Sequence, residues 1–537
     1  MRRLEPLPRF GRRSALLGAL GAAVLLGTGR LSARSSSAAG SDLFALGVAS
    51  GDPLPDGVVL WTRLAPAPLA GDGFGGMGAA PVTVQWQVAS DEKFAHIVRE
   101  GSVTATRELA HSAHPEVHGL EPDRVYYYRF KAGRELSPVG RTRTAPAPGA
   151  HRDQVRFAFA SCQRWDQGYY TAYDHMAEED LDLVAHLGDY IYEYPFTSED
   201  NLRGEQVPDV FSARPTGLPR YRTQYALSKL DEPLRRAHAS FPWVVVFDDH
   251  EVENDWAGWH SGSEYHTPRA QFLAQRAAAF QARYEHQPLR VSARPHGAST
   301  QDYRRLGYGR LADFFALDTR QYRDPQPCSG VFGSDCPERT APNRVMMGDR
   351  ERAWLLDGLA SSRAVWKVAL NQVQIMQTRL RLPKSADAAT GERGIGYNVD
   401  CWDGYPAERA KLLGGAARRG IENLVVVTGD THKNYAGDLK PDFDDPASPV
   451  VAAEFVGTSI SSGGDGKDVR EQEAQMKADN PHLKFFNDQR GYVTCELTPE
   501  RCRTDYRVLD YVQRPGSPIA TLRSFVVESG RPGILDA

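Results

Sequence analysis

Three short apolar runs in this chain are each followed by side chains that can bind metal ions. These side chains are Asp189 and Tyr192, then Asp249, and finally Asp430 and His432. Carboxylate and phenolate oxygens suit hard cations such as Fe(III) or Ca(II), whereas imidazole and thiolate favour transition metals. A set that mixes these ligand types predicts a site with more than one ion.

The glycine in Gly188-Asp189 allows a tight turn, after which Asp189 could bridge two cations with its two oxygens. Tyr192 returns to the same side if the loop opens into a helical turn, and the side chains of Asp430 and His432 point the same way in an extended turn. Singly, each has an alternative interpretation: an aspartate can cap a helix, and a tyrosine can simply pack.

Further groups lie close by in the sequence. His250 directly follows Asp249 and could protonate a leaving group, and Asn254 offers another oxygen ligand. Arg164, near Cys162, could stabilise developing negative charge or could be a surface ion-pair partner. The segment 397–405 could line a substrate pocket or form a packed loop. The glycine- and serine-rich segment 457–464 looks like a phosphate-binding loop but lacks the lysine of a P-loop.

The chain has six cysteines. In an oxidising compartment, Cys328 could pair with Cys336 and Cys495 with Cys502, although sequence alone proves neither disulfide. Cys162 and Cys401 are then left over. Cys162 could be a metal ligand, or a nucleophile activated by a histidine base. Cys401 is interpreted as a small buried apolar residue.

Short apolar strands must deliver these groups. Runs at 155–160, 183–187, 241–247, 366–370 and 424–427 are typical of buried strands in an α/β layered core, and 169–179 has helical spacing. Earlier in the chain, alternating residues around Trp86 and Tyr127 predict a small β-sandwich. We therefore predict a β-sandwich domain at 42–145, a linker at 146–150 and a catalytic domain at 151–537.

The N-terminus has the order of an export signal. Arg12 and Arg13 precede an apolar stretch at 15–27 and a run of small residues at 35–40. Paired arginines favour the twin-arginine export machinery as a partner, with an ordinary secretory signal or a membrane anchor as alternatives. We assign residues 1–41 to this signal and expect the protein to be secreted or to reside in the cell wall or periplasm.

Composition narrows the classes of partner. The formal net charge is -4 and hydrophobic residues make up 41% of the chain, which is ordinary for a globular protein. No overall basic field attracts nucleic acid, so specific nucleic-acid binding is not expected.

Five motifs occur in an order that resembles the PhoD-type alkaline phosphatases, a branch of the calcineurin-like metallophosphoesterases. The motifs are Ser161-Cys162-Gln163, Gly188-Asp189-Tyr190-Ile191-Tyr192-Glu193, Asp248-Asp249-His250-Glu251-Val252, Asn371-Gln372-Val373-Gln374 and Gly429-Asp430-Thr431-His432. The segment 46–63 also resembles the fibronectin-like N-terminal domain of that family. The match spans nearly the whole chain after the signal.

This resemblance implies an α/β fold: a four-layer αββα metallophosphoesterase core preceded by a small fibronectin-like β-sandwich. It implies one Fe(III) and two Ca(II) ions, with iron held by Cys162, Asp189, Tyr192 and His432. Asp189 would bridge to calcium, and Asp430 with the segment from Asp249 to Asn254 would supply calcium ligands. The wider superfamily usually has asparagine at the position of Asp249.

The implied function is an exported, metal-dependent hydrolase that releases inorganic phosphate from esters by attack of a metal-bound hydroxide. His250 and Arg164 are the expected catalytic side chains. Substrates are expected to be small phosphate monoesters, diesters or both, with teichoic acid and phospholipid head groups as candidates, and the protein is expected to be monomeric. The alternatives are a cysteine-nucleophile hydrolase and a non-catalytic binding protein on a sandwich scaffold.

Overall fold

A computed structural model of the protein describes residues 42–328, 332–382 and 394–537. The predicted export signal at 1–41 lies outside these residues. The described residues belong to one compact unit, which spans 41–537. Within the described ranges, no helix is both long enough and apolar enough to cross a membrane.

Seven α-helices are found in the described ranges. They are α1 Thr171–Met176, α2 Leu218–Lys229, α3 Glu232–Ser240, α4 Arg269–His286, α5 Gly348–Ser361, α6 Pro406–Arg418 and α7 Arg470–Asp479. Local signals explain α3: the Asp231 carboxylate accepts a hydrogen bond from the Leu234 amide (3.2 Å), and a proline occupies the first turn.

The first half of the chain contains these strands: β1 Val48–Leu54, β2 Gly57–Arg63, β3 Val82–Ala89, β4 Ile97–Ala105, β5 Ser112–Ala113, β6 Glu116–His118, β7 Val125–Ala132, β8 Glu135–Leu136, β9 Gly140–Arg143, β10 Val155–Ala160, β11 Leu183–His186 and β12 Pro242–Val245. The second half contains β13 Arg304–Tyr308, β14 Ala312–Ala316, β15 Phe332–Ser334, β16 Trp366–Asn371, β17 Leu380–Arg381, β18 Ile395–Asn398, β19 Leu424–Thr428, β20 Asn434–Leu439, β21 Ala452–Val456, β22 Leu483–Asn487, β23 Gly491–Leu497, β24 Arg501–Leu509, β25 Ile519–Glu528 and β26 Arg531–Asp536.

Two large sheets form the centre of the fold. An eleven-stranded sheet runs in the order β26-β25-β24-β23-β10-β11-β12-β1-β2-β5, with β6 also paired to β2. A seven-stranded sheet runs β13-β14-β16-β19-β21-β20-β22. In the first sheet β10, β11 and β12 are parallel neighbours, and in the second so are β14, β16, β19 and β21.

The strands that lead to the site are buried on both faces, which explains their continuous apolar sequences. In β10, Phe157 and Phe159 point into the core between the two sheets, whereas Ala158 and Ala160 point toward the helical side. In β19, Val425 and Val427 likewise point into the core between the sheets, and their neighbours pack beneath the helices on the other side. These strands have a period of two, with an apolar layer on each side.

Helices cover both outer faces. Residues of α1 to α4 pack on the eleven-stranded sheet, and residues of α5 and α6 pack on the seven-stranded sheet. The layers are therefore helix, sheet, sheet, helix, as predicted. The predicted strands also form: 155–160 matches β10, and the other runs match β11, β12, β16 and β19 within a few residues. The helical segment at 169–179 is shorter than predicted, since α1 spans Thr171–Met176.

The N-terminal region contributes to two sheets. A five-stranded sheet, β4-β3-β7-β8 with β9 on β7, packs against β1 and β2 through a shared apolar cluster. Strand β1 also pairs in parallel with β12, which joins β1 and β2 to the eleven-stranded sheet of the core. The β-sandwich boundaries at 42–145 stay a prediction; the structure adds that hydrogen bonds cross this boundary.

Only one of the two disulfides proposed from the sequence is present. Cys328 and Cys336 are bonded, whereas Cys495 and Cys502 are free and buried. In the β23–β24 pair, Cys495 lies opposite Thr504 and Cys502 opposite Leu497. The two cysteines are therefore diagonal neighbours across the strand pair, and their thiols contact each other without being bonded.

Lys229, the last residue of α2, is a buried amine with no carboxylate partner among the described residues. Its Nζ lies 4.3 Å from the centroid of the Trp61 ring and 5.3 Å from that of Tyr190. Burial lowers the pKa of this amine well below its ordinary value of 10.5. Lys229 therefore costs stability at neutral pH, because the unfolded chain binds a proton that the folded chain binds only weakly.

We expect Lys229→Met to raise the free energy of unfolding by about 1 to 3 kcal/mol at pH 7, because methionine fills similar space without a buried amine. The gain should shrink as the pH approaches the unfolded pKa of 10.5, where the amine is increasingly neutral in both states. Urea unfolding at pH 7 and pH 10 measures both effects. Lys477→Met, at a side chain that is 42% exposed, is the control; destabilisation by Lys229→Met would contradict the prediction.

Candidate metal centre and active site

A cavity of about 420 Å³ lies where the central strands of the two sheets end. Six of the residues proposed from the sequence line it: Asp189, Asp249, His250, Asn254, Asp430 and His432. They follow β11, β12 and β19, whose carboxyl ends point toward the same edge. Functional groups commonly collect at such edges, where rigid strands meet open space.

The residues proposed as iron ligands are brought together. Ligand atoms of Cys162, Asp189 and His432 lie within 4.8 Å of one another. The Tyr192 hydroxyl donates a hydrogen bond to Asp189 Oδ2 (2.8 Å) and lies 3.0 Å from Nε2 of His432. One thiol, one carboxylate, one phenol and one imidazole thus converge on one point.

Asp249 is shared by three further groups of possible ligands. It lies with Asp189 and His250, with Asp248 and Asp430, and with Asp255 and Asp400. The first two groups contain the predicted oxygen donors Asp189, Asp249 and Asp430. The third contains Asp400, which comes from the distant segment 397–405. The sequence predicted that this segment lines a pocket or packs as a loop, and did not predict a metal ligand there. Asn254 lies beside this third group, since its Nδ2 donates to Asp255 Oδ2 (2.8 Å).

The donor set fits bound cations. Asp189 Oδ1 and Asp249 Oδ1 are buried and accept no hydrogen bond, although Asp249 Oδ1 lies 3.3 Å from the Arg320 guanidinium, so Asp189 Oδ1 is the acceptor left free for a cation. Burial, followed by neighbouring carboxylates, raises the pKa of Asp189 and of Asp430 well above the ordinary range. So many buried carboxylates need positive charge, which hard cations supply.

The nitrogen and sulfur donors fit as well. Burial and Arg490 lower the pKa of His432 to about 3, which keeps its imidazole neutral and able to ligate. Burial, Asp189 and other nearby carboxylates raise the pKa of the Cys162 thiol well above its usual value. Such a thiol is a poor nucleophile by itself, and a bound metal ion would be needed to hold it as a thiolate.

Several candidate ligands have an unusual backbone. Cys162, Asp189, Asp430 and His432 have φ values of 60°, 58°, 65° and 56°, in the left-handed region. Non-glycine residues there are uncommon and cluster at functional sites, where the surroundings hold them. No sequence signal marked this feature beyond the Gly-Asp turns.

Glu251 provides part of that support. Its carboxylate accepts hydrogen bonds from the backbone amides of Asp189 (3.0 Å), Tyr190 (2.6 Å) and Asp248 (2.7 Å). One buried side chain therefore fixes the loops after β11 and β12 relative to each other. Glu251 belongs to the motif that begins at Asp248, but the sequence alone did not predict this supporting role.

Arg320, which belongs to none of the sequence motifs, lies at the centre of the acidic cluster. Its guanidinium is fully buried and donates to Asp248 (2.5 Å) and to both oxygens of Asp400 (3.0 and 2.8 Å). It also lies 3.3 Å from Asp249 and 3.9 Å from Asp430. One cation therefore orients carboxylates that come from three separate segments.

His250 is held at one ring nitrogen. Its Nδ1 lies 2.7 Å from Glu193, which also accepts from the Asn254 amide and the Tyr265 hydroxyl, each at 2.7 Å. Burial lowers the pKa of His250, but Glu193, Asp249 and Asp189 raise it by more, so that it ends well above its ordinary value. The His250–Glu193 pair leaves Nε2 free on a ring that lines the cavity.

Arg164 is positioned differently from the other predicted side chains. Its guanidinium forms an ion pair with Asp166 at 2.9 Å and lies 4.7 Å from the centre of the Tyr194 ring. It is not among the residues that line the cavity. This geometry favours the ion-pair interpretation, and the catalytic role of Arg164 stays a prediction.

The segment 457–464 braces the ligand loops and does not line the cavity. Ser462 Oγ donates to the Cys162 carbonyl (2.7 Å) and Ser461 Oγ to the Arg164 carbonyl (2.8 Å). Arg490 links this segment to the opposite loop by donating to the carbonyls of Gly464 (2.9 Å) and His432 (2.5 Å). The serines of this segment therefore support the backbone of neighbouring loops, and this role accounts for a sequence that looks like a phosphate-binding loop.

Both interpretations of the segment 397–405 apply in part. Asn398 and Asp400 line the cavity, whereas Trp402 and Tyr405 are fully buried packing residues. Cys401 is buried and free, as expected, and its Sγ lies 3.5 Å from Asp430 Oδ2.

Comparison with known proteins gives a consistent result. The sequence model of the PhoD-like phosphatases matches residues 157–506, and that of the PhoD-like phosphatase N-terminal domain matches 30–146. The chain is 46% identical over 536 residues to alkaline phosphatase D of Bacillus subtilis, covering 98% of this chain and 89% of that protein.

Solved structures agree. A structure of PhoD superposes with a TM-score of 0.85 at 47% identity and covers 93% of each chain. A purple acid phosphatase from yellow lupin (Lupinus luteus) seeds has a TM-score of 0.50 at 12% identity, covering 90% of this chain and 73% of that one, and shares the fold. The match of family, sequence and structure, together with the clustered ligands, shows that this chain belongs to the PhoD-like phosphatase family and is a hydrolase of phosphate esters.

Proposed function

We propose that this phosphatase binds one Fe(III) and two Ca(II) ions. Cys162, Asp189, Tyr192 and His432 would hold the iron, and Asp249, Asn254 and Asp430 would supply oxygen ligands for calcium. The observation that supports this most directly is the position of Asp189, whose one oxygen meets Tyr192 while the other is free beside Asp249 and His250. When bound, such ions neutralise the phosphate ester and make water more reactive.

The protein side chains have separate tasks. Glu193 fixes the His250 ring through Nδ1, so that Nε2 can hold the proton that a leaving alcohol needs. Arg320 keeps Asp248 and Asp400 in place without lining the cavity itself. Asn254 donates its backbone amide to the same Glu193 that orients His250. One carboxylate therefore positions both the proposed acid His250 and the proposed ligand Asn254.

The alternative functions have little support. A catalytic Cys162 would need a low thiol pKa, whereas burial and Asp189 raise it. His432, the imidazole next to Cys162, lies 3.0 Å from the Tyr192 hydroxyl and is surrounded by ligand groups. A non-catalytic scaffold has no need for this set of converging donors.

Substrates and location complete the proposal. Small phosphate monoesters or diesters are the proposed substrates, with teichoic acid and phospholipid head groups as candidate diesters. Export by the twin-arginine machinery is proposed from Arg12, Arg13 and the apolar stretch that follows them. We propose that the protein acts as a monomer after export to the cell wall, periplasm or medium.

The visible spectrum tests the iron assignment. Tyrosinate bound to Fe(III) absorbs visible light, so the purified enzyme should be violet, and Tyr192→Phe should abolish the colour. Tyr194→Phe is the matched control, because Tyr194 lies two residues away and its ring contacts Arg164 and His250, whereas the Tyr192 hydroxyl contacts Asp189 and His432. A colourless, active protein that contains only zinc would refute the iron assignment.

Hydrolysis tests the activity. The metal-loaded enzyme should release phosphate from an aryl phosphate, and chelation of calcium should stop the reaction until calcium is restored. A fully metallated protein that hydrolyses neither monoesters nor diesters would refute the proposed function.

A further inference from the structure

The cavity that holds the candidate ligands has a second wall of different character. Besides the carboxylates, Phe332 and Leu380 line it, and these belong to a small separate sheet in the order β15-β18-β17. Phe332 is 66% exposed. The cavity therefore has apolar as well as acidic lining residues.

Strand register places the two apolar side chains on one face. Phe332 lies opposite Asn398, and Leu380 lies opposite Gly396. Because directly opposed residues point to the same side of a sheet, and positions two apart on β18 also share a side, Phe332 and Leu380 face the cavity together. Gly396 is buried and does not line the cavity, whereas Asn398, on the same face of β18, does.

The rest of this small sheet is anchored. Tyr397, on the other face of β18, is buried, and the Arg339 guanidinium carbon lies 3.9 Å from its ring centre. Arg339 in turn donates to the Asp403 carbonyl (2.9 Å). The Cys328–Cys336 disulfide closes the segment that contains β15. The small sheet is thus held in place through the face opposite to Phe332 and Leu380.

The size of the cavity leaves room beyond the phosphate. At about 420 Å³ it is in the range of small-molecule sites, and a phosphoryl group occupies only part of such a volume. Because the phosphoryl end must meet the ligand cluster, the organic part of an ester extends away from the carboxylates. The apolar groups among the lining residues are Phe332, Leu380 and the ring of Tyr435.

We propose that Phe332 and Leu380 form a subsite that binds an apolar organic group attached to the phosphate, and so favours aryl esters over small polar ones. The inference rests on the proposed function, since it assumes that the phosphate binds at the ligand cluster. Contact would cover part of the exposed Phe332 ring, which gives binding energy without new polar contacts.

Binding of two phosphonates tests the subsite without any turnover. Phenylphosphonate and methylphosphonate share the same anionic end but differ in the apolar group, and neither carbon–phosphorus bond is hydrolysed. By titration calorimetry on the metal-loaded enzyme, Phe332→Ala should weaken phenylphosphonate about tenfold and leave methylphosphonate within about twofold. Leu380→Ala should have a smaller effect of the same kind.

Ile395→Ala is the matched control. Ile395 is also an exposed apolar residue of β18 (39%), but it is on the face opposite Gly396 and does not line the cavity. This variant should bind both phosphonates like the wild type. Equal weakening of both phosphonates by Phe332→Ala, or no weakening of either, would overturn the proposal.

Kinetics gives an independent readout. With phenyl phosphate, Phe332→Ala should raise KM about tenfold with kcat nearly unchanged, because the subsite binds ground state and transition state alike. With glycerol phosphate, both constants should stay near wild type, and a tenfold change there would overturn the proposal. If the loaded enzyme releases phosphate from no ester, the proposed function fails, and the phosphonate comparison still decides whether the apolar subsite exists.

Discussion

Asp189→Asn is expected to lower phosphatase activity by at least about a thousandfold and to reduce the bound metal. Asp189 belongs both to the group with Cys162 and His432 and to the group with Asp249 and His250. An amide keeps the shape but loses the charge and one of two strong oxygen donors. Losing about 4 kcal/mol of electrostatic stabilisation, a fraction of what bound ions supply, corresponds to that factor.

Two measurements separate this effect from unfolding. In the metal-free state Asp189→Asn should melt at the wild-type temperature or slightly above it, because the substitution removes a buried carboxylate with a free oxygen. Asp438→Asn is the matched control: Asp438 is also buried, but it pairs with Lys484 at 2.8 Å outside the cavity. Metal content and turnover of the control should stay near wild type. Full activity in Asp189→Asn would refute its bridging position.

Arg320→Met is expected to destabilise the metal-free protein by about 3 to 5 kcal/mol. The substitution leaves Asp248 buried without its cation, leaves Asp400 with Arg323 alone (3.2 Å), and removes the nearby charge from Asp249. Breaking a buried ion pair on one side carries a cost of this size because the remaining charges stay uncompensated. Urea unfolding in the presence of a chelator measures it.

Added calcium should recover part of that loss, because a cation that binds the same carboxylates replaces some of the missing charge. Arg320→Lys should fall between wild type and Arg320→Met, since lysine keeps the charge but cannot bind both Asp400 oxygens at once. Arg305→Met is the control: Arg305 pairs with Asp313, but its side chain is 36% exposed, so the change should cost less than about 1 kcal/mol. A similarly small effect of Arg320→Met would contradict the central role of this residue.

If both results hold, the site has two layers of charge compensation. The permanent cation Arg320 orients Asp248 and Asp400, and bound ions would neutralise Asp189, Asp249 and Asp430. This division explains how many buried carboxylates can be kept close together before any ion is bound.

Much of the fold was determined by local sequence pattern. Apolar runs such as 155–160 and 424–427 form strands that are buried on both faces. A short, continuous apolar run is typical of such a strand. The positions of Asp189, Asp249 and Asp430 at strand ends could be predicted as well, because each closely follows an apolar run in the sequence. The ordered motifs then identified the family and the layered core.

Other features depended on contacts between distant segments. Arg320 and Asp400 are 80 residues apart, and nothing near either one signals that they meet. No local propensity favours the left-handed backbone of Cys162 and His432. It is held by hydrogen bonds from distant groups, namely Ser462 to the Cys162 carbonyl and Arg490 to the His432 carbonyl. The free state of Cys495 and Cys502 depends on strand register, which sequence spacing does not set.

The sequence by itself therefore determined the ligand types, their delivery by strand ends and the family. Only the tertiary structure decided which carboxylates lie close enough to share an ion, that Arg164 pairs with Asp166, and that Phe332 lines the same cavity as the acidic cluster. The physical reason is range. Strand and turn preferences act over a few residues, whereas charge compensation and cavity shape arise from side chains that meet only after the sheets have packed.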